Sequence, residues 1–549
     1  MVVGDEEDDP YKEGVTRKKE KEVVMRKSIL VTVVIVCSLW GWYSHPVEAK
    51  VLRWAYSADI DSLDPDALVN LEFLHHIYDP LVRRTNNIRL EPALATSWET
   101  VKPNVWRFKL RRGVKFHNGN SFNADDVVVS IKRALHPNSS IRGNIRGVVD
   151  IQKVDDYTVD FLMTGPYPLL PKDLVNIYML DKEWMTENKC LEPVNPTKGE
   201  RSHITNSANG TGAFMLESRQ PEVKTVLKVN PNWWDTPKHN LTGIEFRPIA
   251  SDATRVAALL TGEIDIMNPC PLQDIDRISR TKGFKVQHGF ELKQLMLLLN
   301  HKDELNDSNI KGKNPLKDIR VRKALYQAID IEAIHDKIMR GMSENKGAYI
   351  DKRIPGYDLQ LEKRLPYDPS AAKRLLAEAG YPDGFEVGFD CPTNHWYIND
   401  EKIAPALASM WAKVGIKARL QAHFPVSNYF KKVRGEGKGD IWMLGWGCLP
   451  SADAYALLAE VLTKPREKLG AWNSGVYYNP NLEDLTMKIA VELDEPKRLK
   501  MITEAVKMAQ DDVAVIPLHQ QPYVWAMRDG VNIDPCPDKW PRLWWSTFD

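Results

Sequence analysis

The chain has 549 residues, of which 43% are hydrophobic and 27% charged, the composition of a soluble globular protein. Its 74 basic residues balance its 74 acidic residues, and this neutrality argues against a polyanion such as nucleic acid as its partner. A chain of this length exceeds what one hydrophobic core usually organises, so two or more domains are expected.

The first 49 residues have the pattern of an N-terminal extension followed by an export signal. Residues 1–24 are dense in charge, and a short basic stretch then precedes the apolar run Ile29–Tyr43. Small residues before Lys50 suit a signal peptidase, so we expect cleavage there. A retained membrane anchor is the alternative, and Met25 is an alternative start of the natural chain.

Cysteine usage and the absence of reaction motifs narrow the class of protein. No CxxC pair, HExxH, Walker A loop, glycine-rich dinucleotide turn or nucleophile elbow occurs, so we predict no metal, no cofactor and no catalytic residue. An odd number of cysteines after the apolar run leaves at least one thiol unpaired, and their spacing does not say which pair. These cysteines are Cys190, Cys270, Cys391, Cys448 and Cys536.

The stretch Leu94–Leu135 predicts a strand, a turn and a capped helix. Apolar and basic residues alternate between Trp106 and Leu110, which indicates a strand with one buried face. A glycine turn follows, and Asn123 is then a good N-cap because its side-chain oxygen can accept a free backbone N–H.

Other segments predict further helices and strands, and this mixture indicates an α/β protein. Polar or small N-caps predict helices that begin after Ser251, Asp330 and Asp368. Pro405 implies a kink or a late start in the helix predicted over 400–414. The predicted strands are Val51–Tyr56, alternating strands within 149–168, Glu263–Ile266, Leu295–Asn300, Asp440–Trp446 and two short strands within Val513–Ala526.

Over most of its length the chain resembles the extracellular solute-binding proteins of ABC importers, in the peptide, nickel and opine family (family 5). The resemblance lies in SWE…WRFKLRRGVKFHNGNSFNADDVVVSIKRA from Ser97, GTGAFMLESRQPEVKTVLKVNPNWWD from Gly210, SDATRVAALLTGEIDIM from Ser251 and YDPSAAKRLLAEAGYPDGF from Tyr367. It implies a two-lobed periplasmic binding protein fold (type II, the large cluster C type with an extra subdomain), with mixed sheets flanked by helices.

The resemblance also implies a function. The protein would be a periplasmic, monomeric receptor, not an enzyme, that captures a peptide-like or other small polar solute. It would deliver the solute to the permease and ATPase subunits of an importer in the inner membrane. Two alternatives stay open: an oligosaccharide- or opine-type receptor that acts in signalling, and an exported hydrolase.

The same resemblance suggests where the lobes begin and end. Residues 50–298 would form lobe I, with an inserted subdomain at about 91–205, and residues 299–512 would form lobe II. Residues 513–549 would return to lobe I, so that the two lobes hinge about crossing segments.

One segment bears on the ligand. In peptide-binding relatives a phrase close to GW-x-x-D supplies an Asp that pairs with the peptide's α-amino group, and the match at Gly445 puts Leu449 at that position. A leucine cannot neutralise a buried ammonium, so binding of simple peptides through a free amine is in doubt. Asp453 would either substitute for that Asp or start a helix, and Trp446 would either stack on the ligand or anchor a core.

A further set of candidate contacts is polar or aromatic and lies at predicted strand ends, where α/β sheets bind ligands. These candidates are Ser57, Asn268, Asn394, Trp396 and Gln520, each of which also has a plain structural interpretation. The glycine turn at Gly210 would either border the cleft or form a hairpin. His75 and His76 point apart on a helix, which favours a surface or packing role over metal binding.

Overall fold

The computed structural model describes residues 50–549 and Met1, apart from residues 68–70, 146, 196–197, 394–395, 450, 468 and 535. The predicted export signal therefore lies outside the described residues. Val51–Asp549 forms one of two units of the chain, and every element below belongs to it.

The strands combine parallel and antiparallel pairing. They are β1 Val51–Tyr56, β2 Val82–Arg84, β3 Leu90–Pro92, β4 Ala95–Lys102, β5 Val105–Leu110, β6 Val148–Asp155, β7 Thr158–Met163, β8 Phe214–Gln220, β9 Lys224–Val229, β10 Gly243–Pro248, β11 Ile266–Asn268, β12 Phe284–Leu299, β13 Glu344–Asn345, β14 Phe385–Pro392, β15 Ile416–His423, β16 Ile441–Trp446, β17 Val515–Arg528, β18 Val531–Asn532 and β19 Thr547–Phe548.

The helices flank these strands. They are α1 Leu71–Leu74, α2 Ala124–Ala134, α3 Leu170–Asp173, α4 Lys182–Glu187, α5 Asp252–Leu260, α6 Ile275–Ser279, α7 Ile319–Gln327, α8 Ile331–Ala333, α9 Pro369–Glu378, α10 Asp400–Ala412, α11 Val426–Phe430, α12 Tyr455–Val461, α13 Pro480–Val491 and α14 Glu495–Asp511. Single π-helical segments follow α8 and α11, at Ile334–Ile338 and Lys431–Gly435.

The predicted helix starts are confirmed. Asn123 caps α2 through the Asp125 N–H, and Ser251, Asp330 and Asp368 each accept a backbone N–H at the start of their helices. Such caps satisfy N–H groups that have no partner within the first helical turn. The late start considered for the helix at Pro405 is wrong, because α10 begins at Asp400 and contains the proline.

A single mixed sheet passes through the unit. Among the described residues it has eleven strands, in the order β15-β14-β16-β12-β17-β11-β1-β10-β9-β8, with β13 beside β17. Strand β1 pairs in parallel with β10 and β11, and β14 pairs in parallel with β15 and β16. Antiparallel β12 and β17 lie between these two parallel groups.

The pair β12 and β17 differs from its prediction. We predicted a strand only over Leu295–Asn300 and two short strands within Val513–Ala526, whereas β12 has 16 residues and β17 has 14. The polar residues of His519–Pro522 interrupt the apolar pattern, but the backbone ladder continues past them with a register shift between Phe290 and Gln294. Similarly, the strand predicted at Glu263–Ile266 forms later, as β11.

The two ends of this pair belong to different parts of the sheet. The first half of β12 pairs with Pro522–Arg528 of β17, which continues to β11. The second half, from Gln294 to Leu299, pairs with β16. The predicted lobe boundaries at 298 and 512 stay a prediction, but these strands connect the segments on either side of them.

A separate antiparallel sheet, β4-β5-β7-β6, lies within the segment predicted as an inserted subdomain. The buried face of β5 carries Phe108, whose ring centroid is 6.2 Å from that of Trp98 and 5.1 Å from that of Phe161. This aromatic layer confirms the predicted alternation of β5 and packs in one core with α2.

Helix α2 is fixed by a buried charge cluster. The Arg133 guanidinium donates to both carboxylate oxygens of Asp64, at 2.8 and 2.7 Å, to Asp66, and to the Cys190 carbonyl at 3.2 Å. None of the three charged side chains exceeds 3% exposure. Burial, against the attraction of Arg133, raises the pKa of Asp66 to about 7.

We expect Arg133→Met to lower the free energy of unfolding by about 3–5 kcal/mol, because it leaves two buried carboxylates without their cation. Chemical denaturation followed by circular dichroism measures this loss. The control is Lys153→Met, which removes a half-exposed partner of Asp125 and should cost about 0–1 kcal/mol. Equal stability of the two variants would show that the buried cluster contributes nothing.

Candidate functional site

A recess of about 240 Å³ opens where the register shift of β12, the end of β16 and the C-terminal segment after β18 meet. Strand β12 contributes Glu291 and Lys293 from the irregular stretch between Phe290 and Gln294. We call this cavity the recess. The residues that line it are Glu291, Leu292, Lys293, Gly445, Trp446, Gly447, Leu449, Pro537, Asp538, Lys539 and Trp540.

Trp446 and Leu449, two of the sequence-based candidates, both line this recess. Trp446 ends β16 opposite Gln294 of β12. Its indole N–H is buried and has no hydrogen-bond acceptor among the described residues. Leu449 is 37% exposed and presents an apolar side chain to the recess. The arrangement offers one free donor and an apolar contact to a guest.

Four aromatic residues, the aromatic wall, run outward from Trp446. Ring centroids are separated by 5.7 Å for Trp446 and Trp472, by 5.5 Å for Trp472 and Phe430, and by 5.8 Å for Phe430 and Trp396. Trp396 is 50% exposed at the outer end. The structure therefore connects two predicted residues through Trp472 and Phe430, which the sequence analysis missed because no periodic pattern marks them.

A larger cleft of about 840 Å³ lies beside this wall. Leu135 and Arg142 line one side, and Arg434, Glu460 and Arg466 line the other. The Arg434 guanidinium lies 4.2 Å from the centroid of Trp472. The cleft thus separates residues of the two predicted lobes, and a cation–π contact borders it.

Two lysines enter the recess, and the sequence analysis missed both. The Lys293 ammonium lies 3.2 Å from Glu291 Oε2, and burial lowers the pKa of Lys293 although Glu291 opposes this. Gly445 makes room for this side chain: a Cβ there would lie 2.7 Å from Lys293 Cδ. Lys539 has a left-handed backbone, with φ of 63°. Non-glycine residues held in this conformation concentrate at functional sites.

Two buried glutamines near the recess differ in their hydrogen bonding. Gln520 is fully buried and donates to the Glu291 carbonyl and to Asp351, so it fixes the backbone of β12 and does not line the recess. Gln294 is 1% exposed, and neither its amide oxygen nor its amide nitrogen has a partner in the described part of the chain.

The carboxylate of Asp453 is paired with two cationic side chains. Arg498 donates to both of its carboxylate oxygens, at 2.8 and 2.7 Å, and the Lys172 ammonium lies 2.8 Å away. Burial opposes ionisation, but these cations hold the pKa of Asp453 well below its usual range. Its Oδ1 also accepts the Tyr455 N–H at the start of α12, which favours the helix-start interpretation over ligand binding.

The remaining candidates are dispersed. Ser57 follows β1 and is half-buried, whereas Asn268 is buried and accepts the Trp54 indole N–H. Neither lines the recess. Asn394 lies outside the described residues.

The glycine and histidine hypotheses are resolved by packing. A Cβ at Gly210 would lie 2.0 Å from the Ile77 carbonyl oxygen, so close backbone approach explains this glycine better than a cleft border or a hairpin. His75 and His76 are buried, with ring centroids 4.8 and 5.4 Å from that of Trp544, as the predicted packing role requires.

Three further observations concern the cysteines, metal-ligating side chains and membrane-spanning helices. Each cysteine from Cys190 onward is free and buried, and among the described residues no group of three or more metal-ligating side chains converges. No helix in the part of the chain that the structure covers combines the length and apolarity needed to cross a bilayer.

Comparison with known proteins connects this geometry to a family. A family model described as "Bacterial extracellular solute-binding proteins, family 5 Middle" matches residues 89–467. The dipeptide-binding protein of Escherichia coli is 26% identical over 521 residues, which cover 89% of this chain and 93% of that protein. The heme-binding protein A of Haemophilus influenzae is 25% identical and covers 80% of this chain and 81% of its own length.

A solved structure confirms the predicted fold. The ABC transporter-associated periplasmic binding protein DppA from Helicobacter pylori, in complex with the peptide STSA, superposes with a TM-score of 0.75 at 24% identity. The match covers 91% of this chain and 98% of that one. The mixed α/β, two-lobed architecture is that of periplasmic binding proteins, and family 5 members work with permease and ATPase subunits of ABC importers. The chain therefore belongs to the bacterial extracellular solute-binding proteins of family 5 and is a solute-binding receptor of an ABC importer.

Proposed function

We propose that this receptor captures a peptide-like or other small polar solute between its lobes and holds one end of it in the recess. The observation that carries the proposal is the buried indole N–H of Trp446, which has no acceptor among the described residues and lies where the recess meets the aromatic wall. A wall of aromatic faces with a few placed polar groups is typical of small-molecule sites.

Closure would proceed about β12 and β17. With lobe I taken as residues 50–298 and 513–549 and lobe II as 299–512, these long strands connect the lobes and can absorb a hinge rotation. A solute that contacts both lobes binds the closed form more tightly and shifts the population toward it.

The Lys172–Asp453 ion pair would act as a clasp in this division of the chain. Lys172 lies in α3 of lobe I, and Asp453 lies in lobe II, where Arg498 already neutralises it. The clasp can therefore open without leaving the carboxylate unpaired, which is what a reversible contact between lobes needs.

The cellular setting follows from export. We infer cleavage before Lys50, a periplasmic monomer and release of the solute unaltered to the permease. Family membership supports this inference, since the family consists of receptors and the recess presents a guest with donors and aromatic faces.

We expect dialanine and similar dipeptides to give little thermal stabilisation, because Leu449 offers their ammonium no counter-charge. Differential scanning fluorimetry with the dipeptides at millimolar concentration measures the shift. A ligand at 100 times its Kd would stabilise by about 2.7 kcal/mol, so strong binding would be visible. A large upward shift of Tm with dialanine would contradict this expectation.

Trp446→Ala should reduce retention of the solute that copurifies after native extraction by about tenfold, because a central aromatic contact is lost. Native mass spectrometry measures the occupied fraction. The control is Trp98→Ala, which removes an indole from the distant β4. Equal occupancy in both variants would refute the recess as the site.

Lys172→Met should shift the unliganded protein toward the open form by about fivefold, or about 1 kcal/mol, since one contact between lobes is lost. Small-angle scattering measures the increase in radius of gyration. The Asp453–Arg498 pair stays intact, so the free energy of unfolding should change little, whereas Asp453→Asn should cost about 3–5 kcal/mol by leaving Arg498 buried and unpaired. An unchanged radius of gyration in Lys172→Met would disprove the clasp.

A further inference from the structure

The charges that line the recess do not all cancel locally. Glu291 pairs with Lys293 at 3.2 Å. Asp538 accepts two hydrogen bonds from the Arg542 guanidinium, at 3.1 and 2.7 Å, and both side chains are buried. Lys539 is the remaining charged residue of the lining, and its ammonium has no carboxylate within 4.0 Å in the described part of the chain.

The backbone holds Lys539 in place. Its N–H donates to the Cys536 carbonyl at 2.8 Å, and its φ of 63° places it in the left-handed region. This conformation is unfavourable for a residue with a Cβ, so its neighbours must impose it. The buried Asp538–Arg542 pair, one residue away, supplies a rigid support.

The ammonium stays charged in this setting. Coulombic interaction with Tyr56 first, and then with Glu291 and Glu72, outweighs the effect of burial and raises the pKa of Lys539 above its usual range. Lys293 is the second cation, and its side chain is 29% exposed although it lies deep between β12 and β16. Two lysines thus face one small volume with a single lining carboxylate, Glu291, that is not committed to an arginine.

The opposite side of the recess is apolar or aromatic. Leu449, Trp446 and Trp540 line it, and the Trp446 indole adds an N–H donor, which again suits an acceptor on the guest. A ligand ammonium would meet only carboxylates that already have a cation, since Glu291 pairs with Lys293 and Asp538 pairs with Arg542.

We propose that Lys539, supported by Lys293, binds a carboxylate of the captured solute, and that the receptor selects anionic molecules without a free ammonium next to that carboxylate-binding end. The inference rests on the proposed capture function and specifies its substrate class. A carboxylate would accept from the Lys539 ammonium and the Trp446 N–H, and its apolar body would lie against Leu449 and Trp540. Charge-assisted hydrogen bonds of this kind are among the strong ones.

The test uses four related probes that differ in charge. They are N-acetyl-dialanine (anionic), its C-terminal amide (neutral), dialanine (zwitterionic) and dialanine amide (cationic). Isothermal titration calorimetry with the full mature protein, freed of copurified solute, should give the anionic probe a Kd lower by about tenfold or more than the other three. The two amides lose the ion pair with Lys539, and dialanine brings an ammonium for which the recess has no unpaired carboxylate.

Lys539→Met should remove most of this preference, so that the acid and its amide bind within about threefold of each other. Lys293→Met should reduce the preference less, since Lys293 is already paired with Glu291. The matched control is Lys500→Met, an exposed lysine of α14, which should retain the preference of the wild type. Circular dichroism of each variant confirms that it folds.

The outcomes separate the two proposals. If the neutral or cationic probe binds as well as the acid, or if Lys539→Met keeps the tenfold preference, the carboxylate assignment is overturned. Failure of all four probes at millimolar concentration overturns it too. If Trp446→Ala still lowers retention of the copurified solute in those cases, capture in the recess stands and only the anion assignment fails.

Discussion

The backbone ladder between β12 and β17 is the constraint on which the rest of the architecture depends. These antiparallel strands lie between two groups of parallel strands, and one end of the pair belongs to each group. The ladder is therefore the backbone connection between the two groups. Its register shift leaves Glu291 and Lys293 out of the regular pairing, and the irregularity thereby creates the recess at the centre of the sheet.

The chemistry of the site follows from how charges are neutralised around that irregularity. Asp453, Asp538 and Asp351 are each satisfied by an arginine, so the surroundings are rigid and closed to additional cations. The lysines are less completely satisfied, and polar atoms of Trp446 and Gln294 have no partner among the described residues. Buried polar atoms without a partner are energetically costly, so several of them beside a cavity indicate a place where a ligand could supply the missing partners. The aspartate–arginine pairs thus stabilise the fold, whereas the nearby lysines and Trp446 are available to contact a ligand.

Much of this could be predicted from sequence, and the failures have identifiable causes. Caps such as Asn123 and Asp368 act locally, so their side chains reveal the helix starts. The long strands were underestimated because their polar centre, around Gln520, is buried by a partner distant in sequence. Lys539 and Trp472 lie in irregular segments without periodicity, and their meeting with Trp446 depends on tertiary contacts that no local pattern encodes. The sequence leaves two roles open for Asp453, because the cations that neutralise it are residues 172 and 498, which lie far from it along the chain.

The free thiols have a practical consequence. Burial raises the pKa of Cys270, Cys391 and Cys536 to about 12 each, and it raises that of Cys448 as well, so none of them is a reactive thiolate at neutral pH. Alkylation of these sulfurs consequently requires transient exposure, and its rate reports local opening free energies without any introduced label. Cys448 lies between Trp446 and Leu449 in the turn that lines the recess. The alkylation rate of Cys448 in the native chain therefore measures how often that turn opens to solvent.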